Sequence, residues 1–112
     1  MERKRFEELV GQVLDSLPEP FRARLLNLVI MVEDSPPAEP RRGGLLLGLF
    51  SGVPCTQKSV FAATPPDHIY LYQKNIEAVC STESQVVRQI RDTLLHEIGH
   101  YFGLNEDELR SV

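Results

Sequence analysis

From Thr82 to Phe102 the chain meets no proline and only one glycine, Gly99, and no other stretch limits the possible folds as strongly. Thr82 followed three residues later by Gln85 is a capping-box pattern, which marks the start of a helix. At about 100° per residue, Val87, Ile90, Leu94, Leu95, Ile98 and Phe102 collect on one side of the helical plot. The spacing predicts a long helix that reaches about Phe102 and lays this apolar arc on a sheet. Gly103 follows where a helix can stop in the left-handed conformation that glycine allows.

His96 and His100 lie outside the arc, about 40° apart. Four residues is one helical turn, so the two imidazoles stand one above the other and can reach the same ion. Glu97 lies about 100° around from His96, off the ion but within reach of a water bound to it. Zinc lowers the pKa of such a water to roughly 7, and a neighbouring carboxylate can then take its proton as the water attacks a carbonyl. Two histidines four apart also occur in helices with no metal. Here the pair faces away from the apolar arc, small Gly99 lies between the two residues, and a stop signal follows at Gly103. Together these favour a metal site. Catalytic zinc takes three protein ligands and leaves one position open, so a third ligand is required. A helix that stops at Gly103 would turn the chain back toward the ion and present Asn105, Glu106 or Asp107.

Upstream, Phe6, Leu9, Val10, Val13, Leu14 and Leu17 recur at spacings of three and four, the stripe of an amphipathic helix. Pro18 and Pro20 end it, and a short helical turn from Phe21 to Leu25 is expected. Leu26 to Val32 reads as a buried strand. Ser35 to Gly44 is a loop by its prolines and glycines. Leu45 to Phe50, Val60 to Ala63 and His68 to Gln73 supply further strand candidates. The pattern is an α+β fold in which residues 1–112 form one domain, with helices against one face of a mixed sheet of three to four strands.

A chain of 112 residues holds one core and is too short for two. Its net charge of −4 argues against nucleic acid, because phosphate binding needs concentrated Lys and Arg, and the clusters Arg3-Lys4-Arg5 and Arg41-Arg42 are short. No apolar run approaches the roughly 20 residues of a membrane span. The basic start runs into acids instead of an apolar signal core, which points to the cytoplasm. Cys55 and Cys80 make no disulfide framework and read as small buried hydrophobes. His68 reads as an exposed polar residue, and Tyr70, Tyr72 and Tyr101 as packing residues.

The run His96-Glu97-Ile98-Gly99-His100-Tyr101-Phe102-Gly103-Leu104-Asn105-Glu106 resembles the metzincin signature HExxHxxGxxH, with a glutamate in place of the last histidine. It is most similar to a family of very small bacterial zincin-like metallopeptidases that close on HExxHxFGLxD/E. The resemblance extends more weakly to the leading helix, the Leu-Pro-x-x-Phe turn at Leu17 to Phe21 and the strands. It implies a minimal zincin-like fold, zinc as cofactor, His96, His100 and Glu106 as ligands, Glu97 as the general base, and a peptide or protein as substrate. Asp107 stands beside Glu106 as an alternative ligand. Both methionines, Met1 and Met31, precede the motif, so the methionine turn of metzincins is missing.

Peptide-bond hydrolysis is the leading expectation. A binding or regulatory protein that uses zinc for stability is a second, separated from the first by whether the metal keeps an open position. A metal-dependent ribonuclease is a third, opposed by the acidic charge and the missing third histidine. Oligomeric state and cleavage specificity are not encoded in any motif.

Overall fold

A computed structural model describes residues 1–23, 25, 27–37, 45–52 and 67–103. Helix α1 runs over Arg3–Ser16 and α2 over Glu19–Ala23. Strand β1 follows at Leu28–Glu33, then β2 at Gly48–Ser51 and β3 at Asp67–Tyr72. Helix α3 spans Gln73–Ala78 and α4 spans Glu83–Tyr101. Val60 to Ala63, one of the strand candidates, lies outside the described residues.

The predicted stripe of α1 faces inward: Phe6, Leu9, Val10 and Val13 are buried. Leu17, extended because Pro18 follows, buries its side chain at the helix end. The sheet has the order β1-β3-β2, parallel between β1 and β3 and antiparallel between β2 and β3. It is therefore mixed, as expected of an α+β fold. Ile69 and Leu71 of β3 are fully buried, and Ile30 and Val32 of β1 pair with them in register. These residues join α1, Ile76 of α3 and Val86, Ile90, Leu94 and Ile98 of α4 in one core. Full burial of a side chain of this size is worth about 1.5–3 kcal/mol.

Three details differ from the sequence expectation. β1 is not buried on both faces: Val29 and Met31 are each more than one-third exposed, alternating with half-buried Leu28, Ile30 and Val32. A strand whose sheet is covered by helices on one face alternates in this way. Along α4, Val86 is buried while Val87 is half-buried and Leu95 is exposed, so the core-facing arc is rotated toward Val86, Thr93 and Glu97. Finally, Gln73 begins α3 instead of ending β3. Gln73 is nearly inaccessible and ties segments distant in sequence, accepting a hydrogen bond from Arg3 Nε (2.9 Å) and donating to the Met1 carbonyl (2.8 Å).

Candidate metal centre

The start of α4 is built as the sequence predicts. Thr82 Oγ1 accepts from the Gln85 amide at 3.2 Å, while Gln85 Oε1 accepts from the Ser81 amide at 2.6 Å. The pair occupies one donor that the first turn leaves unpaired, at Gln85, and ties the preceding Ser81 amide to the helix. The far end also follows expectation. Gly103 takes a φ of +88°, and its amide donates to the His100 carbonyl at 2.9 Å. Phe102 packs against Phe21 of α2 with ring centroids 6.1 Å apart, so the Leu17–Phe21 turn braces the end of the motif helix.

One turn before that end, His96 and His100 stand edge to face with ring centroids 4.9 Å apart. One ring nitrogen of each histidine and one Glu97 carboxylate oxygen all lie within 4.8 Å of one another. Both histidines are half-buried and Glu97 is buried. Two imidazoles are nitrogen donors that suit divalent zinc, and the adjacent carboxylate can serve a water bound to such an ion. This is the one group of potential metal-binding side chains found among the described residues.

Glu97 is positioned by β2. The Phe50 amide donates to Glu97 Oε1 at 2.8 Å, a bond that joins the motif helix to a strand lying at the sheet edge among the described residues. This contact needs Gly48. A β-carbon there would stand 2.6 Å from Thr93 Cγ2, 3.0 Å from the Tyr70 carbonyl and 3.5 Å from Glu97 Cγ. The absence of a side chain lets α4 approach the strand closely enough for its carboxylate to reach the backbone. Thr93 sits one turn before Glu97, buried, with its hydroxyl accepting from Gln89 Nε2 at 3.1 Å. Tyr101 and Phe50 meet edge to face with ring centroids 5.7 Å apart. Gly48, Thr93 and the Phe50 amide escaped the motif reading. A lone glycine inside the apolar run Leu45 to Phe50 was the available signal.

The remaining candidates lie elsewhere. His68 does not join the histidine–glutamate group; it stacks on Tyr70 along β3 (centroids 6.0 Å), and Tyr70 stacks on Tyr72 (6.5 Å). Cys80 is a free thiol packed at the margin of the core; burial, with Glu77 nearby, pushes its pKa up, away from reactive thiolate. Asn105, Glu106, Asp107, Arg41, Arg42 and Cys55 lie outside the described residues. Among those described, no helix is long and apolar enough to cross a membrane.

Residues 25–112 match the family model of the zincin-like metallopeptidases. The chain belongs to that family. Among solved structures, a conserved hypothetical protein from Thermus thermophilus is similar over 91% of this chain and 94% of its own, with 25% sequence identity and a TM-score of 0.61. No curated protein matches the chain in sequence.

Proposed function

We propose that this chain is a zinc-dependent peptidase in which Glu97 is the general base. The observation that carries the reading is the convergence of His96, Glu97 and His100 to within 4.8 Å of one another, with Glu97 oriented by the Phe50 amide. Family membership supports it. His96 and His100 would hold the ion, with Glu106 as third ligand by its place in the motif and Asp107 as the alternative. A bound zinc would supply Lewis acidity, polarising the scissile carbonyl and making water easier to deprotonate. Glu97 then takes a proton from the attacking water and delivers it to the departing amine. Its bond to Phe50 limits the rotamers it samples, which keeps the carboxylate aimed at that proton. The peptide lies along β2, pairing with a sheet edge one layer from the catalytic carboxylate.

Metal content and peptide cleavage test this together. About one zinc per chain is expected in the parent protein, abolished in His96→Ala and weakened in Glu106→Ala. Glu97→Gln should retain the zinc and lose roughly a hundredfold or more of the cleavage rate. Full activity in Glu97→Gln, or no zinc uptake at neutral pH, overturns the proposal. A metal closed by four protein ligands would assign the site to stability instead.

A further inference from the structure

A cleft of about 350 Å³ extends from His96 and Glu97 along α4 toward its N-terminal end. One wall is apolar, formed by Leu46 and Leu47 just before β2. That segment is fixed: Asn75 Nδ2 donates to the Leu46 carbonyl at 2.8 Å, and the Tyr72 amide to the Leu47 carbonyl at 3.0 Å. The opposite wall is α4 itself, through Gln89, Asp92 and Thr93. The Gln89 amide nitrogen donates one of its two hydrogens to Thr93, and its side-chain carbonyl oxygen is open to a ligand. Asp92 lies one turn, about 6 Å, before His96. Among the described residues its carboxylate makes no ion pair or hydrogen bond. No Lys or Arg is among the described residues lining the cleft; Arg88 and Arg91 of the same helix do not line it. Beyond the catalytic group, the described residues of this cleft therefore offer one carboxylate, neutral polar groups and no cation at one wall, and hydrocarbon at the other.

We infer that the cleft is a subsite for a positively charged substrate side chain, lysine or arginine, and that Asp92 determines this specificity. The inference rests on the peptidase reading and names the substrate class of the same site. Long basic side chains suit such a space because their methylene stems pack on apolar surface while the charged head seeks an acceptor. Leu46 and Leu47 take the stem, and Asp92 with the Gln89 carbonyl takes the ammonium or guanidinium head. The chain's net charge of −4 favours the approach of basic peptides. A free α-amino group shares this chemistry, so blocked peptides are needed to separate the two sources.

The probes are alanine pentapeptides, N-acetylated and C-amidated, with a central Lys, Arg, Leu or Glu. Calorimetric affinity and cleavage rate are measured in parallel on the zinc-loaded protein, Asp92→Asn and Asp92→Lys. The Lys and Arg peptides should bind about fivefold tighter than the Leu peptide. Asp92→Asn should erase that margin with zinc content unchanged, and Asp92→Lys should move the preference to the Glu peptide. A Lys preference that survives Asp92→Asn overturns the inference, as does equal affinity for all four probes or binding of none. An Asp92-dependent gain seen only with unblocked peptides would also overturn it, by assigning the cleft to a chain terminus. The two readings fail separately. Charge-selective, Asp92-dependent binding without cleavage removes the peptidase and keeps the subsite. Cleavage indifferent to charge does the reverse.

Discussion

Between Val86 and Leu94, α4 is held by packing: Val86, Ile90 and Leu94 sit in a core shared with α1 and β3. Between His96 and Gly103 Ile98 continues that core, and particulars are added to it, namely the Phe50–Glu97 bond, the bare backbone of Gly48 and the left-handed Gly103. Apolar burial is non-directional and sums over many contacts, so the first region fixes that the helix is there. A hydrogen bond and a close backbone approach are directional and single, so the second region fixes where one carboxylate points. Damage to the first region should appear as lost stability, and damage to the second as lost function from a folded protein.

The largest effect is expected from Ile90→Ala. Ile90 is fully buried, and its truncation should cost about 2–5 kcal/mol in urea unfolding, while the folded fraction still binds zinc with parental affinity. Weaker zinc binding per folded molecule would break the division between the two regions. Gly48→Ala comes next. Its β-carbon would press on Thr93 Cγ2 and the Tyr70 carbonyl, costing about 1–3 kcal/mol and separating Glu97 from Phe50. Cleavage should fall more steeply than stability, and adding Thr93→Ser, which removes the crowding methyl, should restore part of both. Equal losses of activity and stability, with no rescue, would show that β2 and α4 do not meet as described.

Thr82→Ala removes the helix cap and should lower stability by about 1 kcal/mol in the same unfolding assay, with the cleavage rate of the folded protein unchanged. The smallest effect belongs to Arg5 and Glu83, which tie α1 to the first turn of α4 by an exposed ion pair. The Arg5 hydrogen bond holds the Glu83 carboxyl below its ordinary pKa. A depressed carboxylate stabilises the fold above its unfolded value, and that contribution disappears as pH falls through the folded value. Glu83→Gln should therefore lower the Tm slightly at neutral pH and low salt, and not at all in strong acid or high salt. A pH-independent change would mean that the pair is not the source.

Local patterning made α1, α4, both ends of α4 and the His96-Glu97-His100 face legible from the chain alone. Helical periodicity, capping residues and stop signals act within a few residues of one another, so they can be read without knowing what the helix packs against. The family motif added Glu106 as the expected third ligand. Tertiary structure decided the rest. Which face of β1 is buried depends on the side of the sheet that the helices cover, and the rotation of the α4 arc toward Val86 depends on the same packing. Gln73 reads locally as the end of a strand, yet partners in the N-terminal segment hold it at the start of α3. Gly48, Phe50 and Thr93 gain their meaning only where two segments more than forty residues apart come within contact distance. Such contacts are set by chain topology and close packing, which no window of local sequence contains.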